Sequence, residues 1–86
     1  MDKLPQLRKR IDIIDDQILM ALAERVEICK SIGAAKKEAG KAVKDNSREN
    51  QLYKRIKDKA VVLGLDSGQV EAVYREIVNM CSAVQE

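Results

Sequence analysis

The sequence predicts an all-α fold, one long N-terminal helix followed by two shorter ones. Three observations carry that expectation. Apolar residues recur every three or four positions along most of the chain, Gly40 and Gly64 punctuate the pattern where helices would end, and no segment reads as a strand.

The first helix is expected from about residue 5 to about 39. Its seam reads Leu4, Leu7, Ile11, Ile14, Ile18, Ala21, then Arg25, Ile28, Ile32, Ala35 and Ala39, and Gly40 follows as a C′ residue. Pro5 falls in the first turn, where its missing N–H does no harm. At about 1.5 Å per residue this helix is roughly 50 Å long, whereas a compact chain of this size has a radius of gyration near ~12 Å. Its own chain is too short to cover it. An intertwined oligomer, with long helices paired as in a coiled coil, is the expected remedy.

The second helix should begin near Asn46 or Ser47, with Asn46 and Glu49 in the form of a capping box. Its apolar face is Leu52, Ile56, Ala60 and Leu63, and Gly64 ends it. Asp66 or Ser67 can cap a third helix carrying Val70, Val73, Ile77, Cys81 and Val84. The 86 residues make one domain, 1–86, with a small core.

Composition narrows the function classes. Sixteen basic residues against 14 acidic give a net charge of +2, too little to argue for a nucleic-acid partner. Tyr53 and Tyr74 are the only aromatics, so a base-stacking platform is not expected. No apolar run approaches a bilayer span and no signal-peptide pattern is present, so a cytoplasmic location is expected, with no membrane partner. There is no His, which removes the usual general base and the commonest metal ligand. Cys29 and Cys81 lack paired metal or redox spacing and fall on apolar helical faces, where plain packing is expected. Chemistry here must run on Lys, Arg, carboxylates and amides.

Arg25 stands at a seam position reserved for an apolar residue, so something anionic should meet it: a glutamate on a neighbouring helix, or a ligand. Lys36 follows by 11 residues, within about 20° on the same face and some ~16 Å along the axis. Together they suit the two ends of a small dianion. Arg8 lies about 100° away around the axis; if it joins the same ligand, it should come from another copy of the chain. The stretch "KAVKDNSREN", residues 41–50, then places Asp45, Arg48 and Glu49 at the start of the second helix. Folded back antiparallel, that turn would face the Arg25–Lys36 surface. Capping does not explain Arg48, whose charge is unfavourable at a helix N-terminus, so the loop is read as both cap and site wall.

At this point the chain resembles the all-helical, AroQ-type chorismate mutases. The resemblance rests on "LRKRIDIIDDQIL" (Leu7 to Leu19), "ALAER" (Ala21 to Arg25), "IGAAK" (Ile32 to Lys36), "VKDNSRE" (Val43 to Glu49) and Gln85, in that order and spacing. It implies an intertwined homodimer with antiparallel long helices and two sites. Each would convert chorismate to prephenate by a [3,3] sigmatropic rearrangement, with no cofactor and no covalent intermediate. Carried over by position, Arg25 and the partner's Arg8 would bind the two carboxylates. Lys36 would contact a carboxylate and the ether oxygen, and Gln85 would donate to that oxygen from the other side. Glu49, with the Asp45 backbone, would hold the ring hydroxyl, and Arg48 would help fix Glu49. The absent His fits a reaction that transfers no proton.

Ala42 stands where many members of that family have Pro, and Cys81 where a Ser often lies, so a substrate contact at Cys81 would run through its backbone. Gln85, the penultimate residue, is expected to be held by packing around Val84 and Cys81. Without a linker or second domain in the sequence, a free-standing enzyme is expected, one that could still associate with another shikimate-pathway enzyme. Two rival readings remain at this level: an isochorismate-pyruvate lyase on the same scaffold, and a non-catalytic helical interaction module in which Arg25 pairs with protein carboxylates.

Overall fold

The computed structural model describes residues 2–86. Among them the chain forms three helices, α1 (Leu4–Glu38), α2 (Asn46–Val62) and α3 (Ser67–Gln85), and no strand. The all-α expectation holds, with each boundary within a residue or two of the pattern. Pro5 lies in the first turn of α1, and the Leu4 N–H, an orphan of that turn, donates to Asp2 Oδ1 at 2.9 Å.

Both interior turns are built on a left-handed glycine. Gly40 (φ 67°) and Gly64 (φ 74°) follow α1 and α2. The next N–H folds back in each case, Lys41 to the Lys36 carbonyl and Leu65 to the Ala60 carbonyl, both at 2.8 Å. This is the Schellman arrangement, which satisfies the last carbonyls and turns the chain sharply.

The N-terminal cap of α2 differs from the expected capping box. Asp45, one residue earlier, is the cap: its extended backbone lets Oδ1 accept from the Arg48 N–H at 3.0 Å. Asn46 is already the first helical residue. An ionised Asp is as good a cap as Asn and adds a favourable charge at the helix N-terminus. The Glu49 carboxylate is thereby left free of capping. At α3, Asp66 rather than Ser67 caps, accepting from the Gln69 N–H at 2.9 Å.

α3 is the central element: α1 and α2 each pack against it and, among the described residues, not against each other. The core is small. Leu52 and Ile56 of α2 meet Val78 of α3, with Tyr53, Val70 and Tyr74 packed around them. The buried arc of α3 is wider than the expected seam: Val78 is buried beside half-buried Val70 and Ile77 and buried Cys81, while Val73 is 60% exposed. Leu63 is likewise exposed, because α2 ends in a turn there instead of continuing along α3. A helix clamped between two neighbours buries a wider arc than a single seam describes. Lys57 and Glu71 bridge α2 and α3 at 3.0 Å, and Arg75 lies 4.8 Å from the Tyr53 ring centroid.

The long seam of α1 is not covered by this chain. Leu7, Ile11, Ile14, Ile18, Ile28 and Ile32 are all between 41% and 56% exposed, and α1 instead turns Cys29 and Gly33 toward α3. The radius of gyration is 16.4 Å and the extents are 61 × 24 × 15 Å, well beyond the compact value for this length.

Candidate functional site

The site forms where α1, the start of α2 and the end of α3 converge. On α1, Arg25 is half-buried and its Nη1 donates to the thiols of both Cys29 and Cys81. Burial pushes the Cys29 thiol up from its ordinary range, the neighbouring Cys81 adds to this, and Arg25 opposes it. A thiol held up in this way stays protonated at neutral pH and does not cancel the guanidinium. The expected glutamate partner is absent: among the described residues Arg25 pairs with no carboxylate. Its positive charge is held in place and left uncompensated, which favours an anion in the space before it.

Lys36, three turns further along α1, ties the other two walls together. Its Nζ donates to the Val43 carbonyl in the loop and, at 2.9 Å, to Gln85 Oε1 on α3. An ammonium has only donors, so Gln85 must present its oxygen to Lys36. The amide Nε2 then turns its donors the other way, where the Cys29 thiol is a neighbour. Like Arg25, Lys36 has no carboxylate partner among the described residues.

The Schellman turn at Gly40 and the Lys36–Val43 bond bring the first turn of α2 over this surface, as the sequence led us to expect. Arg25, Lys36, Asp45, Arg48, Glu49, Cys81 and Gln85 all line one cleft of about 300 Å³, the size of a small-molecule site. Glu49 is half-buried and Arg48 exposed. No hydrogen bond or ion pair joins these two among the described residues, so Arg48 does not fix Glu49 as expected. Gln85 is held by Lys36 and by the close approach of Gly33, and Val84 is 36% exposed.

Arg8 is the one predicted site residue that lies elsewhere. It sits 17 residues before Arg25 on the same helix, about 25 Å away, and is exposed. The cleft also contains Ser82, next to the predicted Cys81, and an apolar wall of Ile28, Ile32, Val43, Leu52 and Val78. Sequence reasoning missed Ser82 because it lies just beside the expected seam, in the wider arc that α3 buries. Ile28 and Ile32 were read as seam residues and do double duty here. A second crevice of about 320 Å³ lies where α2 turns into α3, lined by Leu63, Leu65, Val70 and Tyr74, with Arg55 and Lys59 at its rim. Its lining has no carboxylate or amide beside these cations, unlike that of the first cleft.

Comparison with known proteins gives the chain a family. The family model described as chorismate mutase type II matches residues 7–86. A curated chorismate mutase of Methanocaldococcus jannaschii is 29% identical over the whole chain, which covers 87% of that protein. A bifunctional chorismate mutase/prephenate dehydratase of Aquifex aeolicus is 34% identical over the whole chain, and a 3-dehydroquinate dehydratase of Pyrobaculum aerophilum is 33% identical over 95% of it. The chain spans about a quarter of the length of these last two relatives, 25% and 24%. A solved structure of a conserved hypothetical protein from Pyrococcus furiosus superposes with a TM-score of 0.78 at 30% identity, covering 100% of this chain and 99% of that one.

Proposed function

The chain belongs to the chorismate mutase type II family, and from that premise we propose that its cleft converts chorismate to prephenate. The observation that carries this reading is the pair of α1 cations, Arg25 and Lys36, held without carboxylate partners among the described residues and facing the same cleft as the Gln85 amide, whose oxygen Lys36 binds. A flexible dianion with an ether oxygen between its carboxylates matches that set. An interaction module would have paired Arg25 with protein carboxylates, and the thiol contacts speak against it.

The reaction breaks the ether C–O bond while the enolpyruvyl methylene bonds to the ring, and no proton moves. Arg25 and Lys36 clamp carboxylates, holding the side chain folded over the ring and removing much of the entropic part of the barrier. Negative charge grows on the ether oxygen as its bond to the ring breaks. Lys36 Nζ and Gln85 Nε2 donate to it from preset positions, in a cleft with an apolar wall where such donors act more strongly than water. Glu49 accepts from the ring hydroxyl, and the backbone N–H of Asp45, whose side chain is committed to capping, adds a donor beside it.

The site is completed in a homodimer. The exposed α1 seam supports this, and antiparallel pairing about the helix midpoint at Ala21 supplies the missing cation. It sets position 8 of one chain opposite Ala34 of the other, between Ile32 and Lys36. The partner's Arg8 then reaches the open side of the cleft and takes the second carboxylate. A concerted rearrangement of this kind calls for no cofactor.

The test is product analysis on two substrates. Incubation with chorismate should yield prephenate without pyruvate, and isochorismate should be a poor substrate. Pyruvate release from isochorismate at the faster rate would assign the cleft to the lyase reaction instead.

A further inference from the structure

Gly33 lies in the interior of α1, with ordinary helical backbone, since the glycines with positive φ are Gly40 and Gly64. Its conformational freedom is not used, and a helix interior favours Ala over Gly. Something else must require the missing side chain. A Cβ built on Gly33 would lie 2.8 Å from the Cα of Gln85 and 3.1 Å from both its Cβ and Cγ. The first of these is a backbone atom and cannot swing aside. Gly33 is buried one turn before Lys36, on the face that meets α3.

We infer that Gly33 is a positioning residue for the rearrangement: the absence of a side chain there seats the last turn of α3 so that the Gln85 amide meets Lys36. The inference rests on the proposed reaction only in giving Gln85 a chemical task; the seating itself is a matter of packing. Restoring ordinary contact for an added Cβ means moving the Gln85 Cα from 2.8 to 3.4 Å, a displacement of about 0.6 Å. Directed along the Lys36–Gln85 bond, that displacement would stretch 2.9 Å to the limit of a hydrogen bond. Donors aimed at a developing charge lose their effect over such distances: a misplacement of about 1 Å can cost a hundredfold in rate. Arg25 hydrogen-bonds Cys81 one turn earlier and does not depend on the Gly33 contact, so carboxylate binding should survive.

The experiment compares the full-length wild type, Gly33→Ala, Gln85→Ala and the double variant. Gly33→Ala should lower kcat for chorismate about tenfold or more and leave KM within about threefold. Gly33→Ala should lower kcat no further when Gln85 is already Ala, because the amide it displaces is gone. Amide hydrogen exchange of residues 82–86 should be several-fold faster in Gly33→Ala than in wild type, a readout that needs no substrate. If chorismate is not turned over at all, the proposed reaction fails and the exchange arm alone decides the seating. Should Gly33→Ala fail to fold, ending the same chain at Val84 removes the collision partner and should restore the fold; continued misfolding would overturn the inference. Wild-type kcat and exchange in Gly33→Ala, or an equal loss of kcat in both Gln85 backgrounds, would overturn it as well.

Discussion

At the scale of single residues, the proposed reaction divides the work between the cations and the amide. Gln85→Glu is the sharpest variant, because it keeps the shape and exchanges donors for acceptors. Lys36 Nζ sits 2.9 Å from the Oε1 position, so an ionised Glu there would be held charged, with its pKa drawn down by the ammonium. At neutral pH it would present only lone pairs to the ether oxygen, whereas the protonated acid regains one donor. We expect Gln85→Glu to be strongly impaired at neutral pH and to gain activity toward acid, a rise the wild type does not share. A flat kcat profile at wild-type rate would mean that Gln85 has no part in the chemistry. Most of these residues were legible beforehand, because a cation in an apolar seam and an unexplained Arg in a first turn are anomalies that periodicity exposes. The partners of Arg25 were not. Nothing in spacing says that Cys29 and Cys81 meet across two helices, since that depends on the rotation of α3.

At the scale of elements, the start of α2 carries both a cap and a site wall. Replacing Asp45 with Ala removes the acceptor of the Arg48 N–H and should cost about 1 kcal/mol of stability in urea unfolding. Asp45→Asn should recover most of it. Loss of activity in the Ala variant well beyond the loss in the Asn variant would follow from a loosened Glu49; identical stability in all three would remove the cap from the account. The α2–α3 contact also has a pH signature. Hydrogen bonding from Lys57, ahead of the weaker influence of Arg75, holds the Glu71 carboxyl below the usual carboxylate range. A folded-state value below the unfolded one gives stability that is present above the ordinary Glu pKa and is lost as pH falls through the folded-state value. Stability measured from about pH 7 down to about pH 3 should therefore fall less steeply in Glu71→Gln; an unchanged slope would show that the bridge contributes nothing. The helices themselves were readable from the sequence, down to Gly40 and Gly64, because turn chemistry is local. The buried arc of α3 was not, because it is set by two neighbours at once, and the cap moved by one residue because Asp45 and Asn46 are both good caps and only backbone geometry chooses between them.

At the scale of the whole molecule, one chain is an elongated body whose longest helix has an apolar seam open to solvent. Dimer formation should accordingly be tight, with little stable monomer; a compact folded 9.7 kDa species in sedimentation at low micromolar concentration would contradict it. Sharing of the site has its own test. Arg8→Ala and Lys36→Ala homodimers should each be nearly inactive, but co-refolded together they form heterodimers with one intact site. Activity should return to about a quarter of wild type for random pairing of independent sites, and no return, with heterodimers demonstrated, would remove Arg8 from the partner's cleft. The seam was legible as a run of isoleucines too long for its own chain to cover, whereas the pairing proposed for it is a matter of a second chain that no single-chain pattern specifies. The most direct measurement for the account is the loss of chorismate absorbance in wild type and in Lys36→Ala, with helicity checked by circular dichroism. We predict rapid turnover by the wild type and a loss of about a hundred- to a thousandfold in kcat for Lys36→Ala at unchanged helicity, the usual effect of removing a preset donor. A wild type no faster than the solution reaction, or a Lys36→Ala variant as active as wild type, would contradict it.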